Sequence, residues 1–275
     1  MRGNVMQARP QRPRWGQHFL RDPLILDRIA SSLAIRPGEW VVEIGPGRGA
    51  LTERLLSKGA RVLAIEIDDQ FVSYLKTKFS ESKAIEVIHG DVLEINLGEL
   101  IGARSSQGIA VIGNLPYYIT SPIVRRIFQV HEQVSAALLL VQKEVADRIV
   151  APKGTRDYAY LSVLCQLYAD SKMLFLVSAN AFQPPPKVTS ALVQLKMRTG
   201  VPPDADFLNF LQLCFRQRRK MLRNNLSGAF DRTALGALEI TRMRAQQLEI
   251  EELRKLWEKL RPAQQLPAAN VLDQP

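Results

Sequence analysis

From residue 40 to residue 150 the chain alternates short apolar runs with amphipathic stretches, and that alternation restricts it to a parallel sheet covered by helices on both faces. The runs Trp40–Ile44, Arg61–Glu66, 84–88, 109–113 and 135–141 are short, apolar and bounded by turn residues, as buried parallel strands are. Helices are predicted between them at Ala50–Ser57, 68–79, 121–129 and Lys143–Val150, followed by 158–168. Asp22 and Pro23 read as the cap and first residue of an earlier helix reaching 33. Runs at 173–178 and 191–197 are joined by a proline-rich connection long enough for an antiparallel pair, which predicts a mixed sheet. After the linker 199–203 the pattern is helical only. Phe207, Leu208, Leu211 and Phe215 make one apolar stripe, and Leu253, Leu256, Trp257 and Leu260 make another.

Four regions are therefore expected: a basic flexible arm over 1–15, an α/β domain over 16–199, a small all-helical domain over 204–262 and a tail over 263–275. No apolar run reaches the roughly 18 residues of a membrane span, and the amino-terminal segment lacks the apolar stretch of a secretory signal. The two cysteines, Cys165 and Cys214, form neither a disulfide framework nor a metal-ligand spacing, which points to a reducing cytoplasm. A net charge of +10 indicates a polyanionic partner. The excess is dense at the amino-terminal end and again at Arg216, Arg218, Arg219, Lys220 and Arg223. A solvated helix face explains such a cluster about as well as a phosphate-binding one.

The first predicted strand runs into Glu43-Ile44-Gly45-Pro46-Gly47-Arg48-Gly49-Ala50, a glycine turn that lets backbone N–H groups approach a ligand. Gly45-x-Gly47-x-x-Ala50 followed by Glu66 at the end of the second strand also satisfies a dinucleotide fingerprint, so a nicotinamide enzyme stays open on the loop alone. Acids at Glu43, Glu66 and Asp91 repel a diphosphate and suit a cationic ligand. S-adenosylmethionine, with its ammonium, sulfonium, ribose diol and adenine, has that character. Asp91 is equally well placed to cap the turn that follows it.

Asn114-Leu115-Pro116-Tyr117 ends the fourth predicted strand, where ligands of α/β sheets bind. The N6 amine of adenine is a poor nucleophile because its lone pair is delocalised into the ring. Two acceptors, the Asn114 side-chain oxygen and the Leu115 carbonyl, would bond both N6 hydrogens, and Tyr117 would stack on the base for about 1–3 kcal/mol. Positioning and electrostatics then suffice without a dedicated general base.

Together with Gly16-Gln17-His18-Phe19-Leu20, Gly90-Asp91-Val92, Phe182-x-Pro184-x-Pro186-Lys187-Val188-x-Ser190 and Phe215-x-x-Arg218-Arg219-Lys220-x-Leu222, these motifs make the chain resemble the small-subunit (16S) ribosomal RNA adenine N6,N6-dimethyltransferases from about residue 14 to 260. The resemblance implies a Rossmann-like class I methyltransferase with a seven-stranded mixed sheet and a helical C-terminal domain. It implies dimethylation of two adjacent adenosines near the 3′ end of small-subunit rRNA during ribosome assembly, with S-adenosyl-L-methionine as donor and no metal.

Site by site, the resemblance implies donor contacts from His18, Leu20, Gly45, Glu66, Asp91 and Asn114, to which the charge argument adds Glu43 and the turn adds Gly47. Phe182 matches the aromatic that covers the flipped base. Many members carry Asn at the position of His18, and either side chain donates a hydrogen bond. The substrate is expected inside an assembling subunit and the protein as a monomer with both basic surfaces free. An N6-adenine DNA methyltransferase, a large-subunit RNA methylase and a non-catalytic assembly factor are the competing readings. The DNA enzyme lacks an obvious target-recognition domain here, and a pure binding module has no need of Asn114, Tyr117, Glu66 and Asp91 together.

Overall fold

The computed structural model describes residues 18–105, 108–200 and 205–264. The expected basic arm, most of the linker and most of the tail lie outside these residues. In chain order the elements are β1 (Phe19–Leu20), α1 (Pro23–Ser31), β2 (Trp40–Ile44), α2 (Ala50–Ser57), β3 (Arg61–Glu66), α3 (Asp69–Lys78), β4 (Ile85–His89), α4 (Leu97–Gly102), β5 (Ile109–Asn114) and α5 (Thr120–Gln129). They continue as β6 (Val134–Gln142), α6 (Lys143–Val150), α7 (Tyr160–Tyr168), β7 (Ala169–Val177), β8 (Phe182–Gln183), β9 (Ser190–Met197), α8 (Ala205–Phe215), α9 (Leu222–Leu226), α10 (Arg232–Gly236) and α11 (Ile250–Leu260).

Seven strands form one sheet in the order β4-β3-β2-β5-β6-β9-β7. β2 to β6 are parallel, and β9 runs antiparallel between β6 and β7. The expected antiparallel pair is present, with β9 inside the sheet and β7 at its edge. Chain order reverses between β2 and β5, so a crevice opens at their C-terminal ends, where the glycine turn and Asn114 lie. Asp22 caps α1 through bonds from the N–H groups of Leu24 and Ile25, as its sequence position predicts.

The elements that escaped sequence pattern include α4, β1 and β8. α4 has six residues, capped by Asn96 and ending in Gly102. β1 and β8 pair antiparallel, Phe19 with Gln183 and Leu20 with Phe182, and two residues each are too few to show periodicity.

The helices from 205 onward do not stand apart. Phe207, Phe210 and Phe215 belong to the same contiguous core as Val42, Leu139 and Val163. Tyr158 and Phe215 meet edge to face at 5.8 Å. Phe210 centres the helical region, packing on Phe207, Phe230 and Trp257 at ring distances of 6.3, 5.9 and 5.4 Å. Cys165 and Cys214 are buried free thiols whose titration burial pushes well up. Among the described residues no helix is long and apolar enough to cross a membrane. Because Phe210 is 1% exposed, Phe210→Ala is expected to lower unfolding free energy by about 3–5 kcal/mol in denaturant titration, with donor affinity retained under native conditions.

Candidate active site

The crevice above β2 and β5 holds a cleft walled by His18, Phe19, Gly45, Gly47, Glu66, Asp91 and the segment Asn114 to Ile119. Gly45 and Gly47 have φ of 67° and 54°, a region L side chains avoid, and a Cβ on Gly47 would lie 3.0 Å from the Phe19 ring. The turn therefore approaches the wall of the cleft closely.

Glu66 is 3% exposed at the end of β3. It accepts the N–H of Gly47 at 2.9 Å on one oxygen and those of Ile67 and Asp68 at 3.0 Å on the other. Burial pushes its carboxyl above the usual range, and the three donors pull it back. Asp91 accepts from the Leu93 N–H at 2.9 Å with Oδ1, so it does cap its turn, and its other oxygen has no partner among the described residues. It caps and faces the cleft at once.

Asn114 donates from Nδ2 to the carbonyl of His18 at 2.9 Å, a bond across 96 positions. With the amide nitrogen held there, Oδ1 remains as the acceptor. The next turn uses the Pro116 carbonyl for Ile119 and Thr120, leaving the Leu115 carbonyl without a partner among the described residues. Tyr117 lies beside His18 at 5.7 Å and 27°, and its hydroxyl shares a 2.8 Å bond with Ser190, which is fully buried. Burial raises the Tyr117 phenol and the Ser190 bond lowers it less, so the hydroxyl stays neutral at pH 7. His18 Nδ1 lies 2.8 Å from the Pro184 carbonyl. A carbonyl only accepts, so this ring nitrogen carries the proton.

Beyond Asn114 lies a second, wider concavity of about 1140 Å³ that shares Phe19, Gly45 and Asn114 with the first. Three expected site residues do not line the cleft. Ile44 faces the cleft, so its strand neighbour Glu43 turns to the opposite side, under the glycine turn. There it is 2% exposed, accepts the Thr52 hydroxyl at 2.6 Å, and borders only the wider concavity. Leu20 likewise borders only that concavity. Phe182 is 4% exposed and borders neither, because its pairing with Leu20 directs it into the core with Leu26 and Ile29. Gln183 and Pro184, which follow it, form the wall instead.

The five basic residues at 216–223 are exposed, but they lie on the turn between α8 and α9 and the start of α9 rather than along one helix face. Arg218 is fastened inward, donating to the carbonyls of Arg156 and Tyr158. Residues not singled out from sequence are Ser190 and the carbonyls of His18 and Pro184. Ser190 ends the proline-rich motif that begins at Phe182, whereas backbone acceptors leave no sequence signal.

Among the described residues no Lys or Arg lines the cleft, while two carboxylates do. That donor set opposes a dinucleotide diphosphate and fits the cationic, phosphate-free S-adenosylmethionine. A family model described as ribosomal RNA adenine dimethylase matches residues 8–261. The chain belongs to that family.

Relatives named ribosomal RNA small subunit methyltransferase A occur in Koribacter versatilis, 38% identical over 90% of this chain and 93% of the relative, and in Coxiella burnetii, 36% identical over 91% and 98%. Among solved structures, a dimethyladenosine transferase from Plasmodium falciparum superposes with a TM-score of 0.74 at 25% identity, covering 90% of this chain and 99% of that one. The 23S rRNA methyltransferase ErmE gives 0.61 at 27%, covering 88% and 99%. With this family the nicotinamide reading falls away, and the Rossmann-like methyltransferase fold stands. The family is enzymatic, which removes the scaffolding alternative as well.

Glu43 generates a stability prediction. Burial and the nearby Glu66 raise its carboxyl from 4.5 to about 7, against the lowering bond from Thr52. The folded state thus binds a proton that the unfolded chain releases, and stability from this group is present below about pH 4.5 and lost as pH rises toward 7. Glu43→Gln should lose less stability than the parent between pH 5 and pH 7.5 in parallel denaturant titrations.

Proposed function

We propose that this enzyme transfers methyl groups from S-adenosyl-L-methionine to N6 of two adjacent adenosines near the 3′ end of small-subunit rRNA, yielding N6,N6-dimethyladenosine in an assembling subunit. The observation that carries the reading is the Asn114 carboxamide, whose nitrogen is held by His18 so that its oxygen points where an amine must be received.

The donor, when bound, supplies a methyl group made electrophilic by its sulfonium. Glu66 suits the ribose diol and Asp91 the adenine amine, while Gly45, Gly47 and His18 frame the remainder. Asn114 Oδ1 and the Leu115 carbonyl accept the two N6 hydrogens of the target, which turns the nitrogen lone pair out of conjugation and toward the methyl. Tyr117 stacks on the base and is held by Ser190. The proton leaves to solvent after transfer, so no buried base is required. Glu43 and Leu20 act from beneath the glycine turn and the rim of the wider concavity. Phe182 stiffens that rim from within the core, and the base-covering contact falls to Tyr117.

Residues 16–199 carry the chemistry and 204–262 the RNA docking. Arg216, Arg219, Lys220 and Arg223 present cations to phosphate, while Arg218 sets the shape of their turn. The small-subunit assignment follows the names of the relatives, which ErmE, a large-subunit enzyme by name, does not share. Monomeric, cytoplasmic action accords with a surface that must stay open to a subunit.

Labelled S-adenosylmethionine and undermethylated small subunits test the reading through nucleoside analysis. The parent should yield N6,N6-dimethyladenosine and Asn114→Ala should lose it while still binding donor; transfer only to large-subunit RNA or to DNA overturns the assignment. Combined Arg216→Ala, Arg219→Ala and Lys220→Ala should flatten the dependence of log affinity on log salt by about 0.7–0.9 for each phosphate that is no longer neutralised. Donor affinity in that variant should equal the parent's.

A further inference from the structure

The wider concavity has two cations that pair with no carboxylate among the described residues. Lys78 is paired with Glu53 at 2.9 Å, and Arg54 with Asp27 at 2.7 Å. Of the acids at this surface, Glu53 is held by Lys78, Asp69 by His89 at 3.0 Å, and Asp68 caps Gln70. Arg21 and Arg48 are exposed and have no carboxylate partner among the described residues. Arg48 instead lies over the Phe19 ring at 5.3 Å, and that ring meets Phe71 edge to face at 5.4 Å. Tyr74, 47% exposed with the Lys78 ammonium 5.5 Å from its ring centre on one face, borders the same surface. Unpaired arginines beside an exposed aromatic face are the combination that holds single-stranded nucleic acid, cations on the backbone and rings under the bases.

The position of the concavity selects the occupant. It shares Asn114 and Gly45 with the donor cleft and has Gln183 and Pro184 on its wall, so it adjoins the proposed reacting atoms. An adenosine delivered to Asn114 from a loop brings its neighbouring phosphates with it, since the chain on either side is continuous.

We infer that Arg21 and Arg48 form a second RNA contact, on the catalytic domain, which grips phosphates flanking the target adenosine in the wider concavity. This contact is separate from the turn at 216–223 and rests on the methylation reading only for the identity of the base. The turn docks the RNA body, and the arginine pair fixes the single-stranded segment entering the site.

The test uses the full chain with a fluorescent single-stranded RNA oligonucleotide containing one adenosine in a pyrimidine tract, titrated at several salt concentrations. Replacing both residues, Arg21→Gln with Arg48→Gln, should weaken binding about tenfold at low salt. The log affinity against log salt slope should fall by about 1.4, which is 0.7 for each of two single-strand phosphates. Arg21→Lys with Arg48→Lys should restore the slope, because charge rather than stacking sets it. Arg36→Gln, a similarly exposed cation outside the concavity, should leave it unchanged. Donor affinity, measured alongside, should match the parent in every variant and reports that the fold is intact.

An unaltered slope in the double Gln variant overturns the inference, as does an equal loss in Arg36→Gln, which would reduce the effect to overall charge. Failure of the methylation reading shows separately, as absence of dimethyladenosine from the parent enzyme's products.

Discussion

A primary carboxamide has one acceptor edge and one donor edge, and in Asn114 the donor edge is fixed by the carbonyl of His18. The cleft depends on that fixation. A freely rotating Asn would present nitrogen as readily as oxygen to an incoming amine, and a donor facing a donor repels. The His18 carbonyl is in place because β1 pairs with β8, and the His18 ring is tied to Pro184 just past that pair. A two-stranded sheet of four residues therefore orients the residue at the tip of a central strand of the main sheet.

The surrounding groups follow the same logic of positions held in advance. Glu66 is bonded to the glycine turn on one oxygen and to its own following loop on the other, so the ends of β2 and β3 are tied together. Tyr117 is braced by Ser190 at the start of β9. Strain-free positive φ at Gly45 and Gly47 brings the backbone close without a side chain in the way. The site is thus assembled from the ends of β2, β3, β5 and β9, each fixed by a bond to another.

Much of this was legible in the sequence. Trp40–Ile44, Arg61–Glu66, Ala50–Ser57 and Lys143–Val150 are present with the bounds their patterns predict, because long apolar or amphipathic runs carry their own period. The walls of the cleft at Gly45, Glu66, Asp91, Asn114 and Tyr117 were likewise readable, since they end or closely follow predicted strands. What a motif does not carry is the side of a strand from which a residue looks. Glu43 differs from Ile44 by one position and so faces away from the cleft, a parity that the alternation of the strand itself contains. Phe182 and Leu20 turned inward for a reason no local pattern holds, their pairing across more than 160 residues. The direction of Arg218 depended on carbonyls about 60 positions away in the same manner.

The inward direction of Arg218 bears on selectivity. An unattached run of cations adapts its spacing to any polyanion and distinguishes them little. Here the middle of the run is anchored to the segment before α7, and Asn225 clasps the base of the same turn through the carbonyls of Cys214 and Gln217. The remaining cations are carried on a template of set spacing, so in the proposed RNA-docking role the surface would work as a gauge of the distance between phosphates, favouring a backbone of matching shape over one of equal charge.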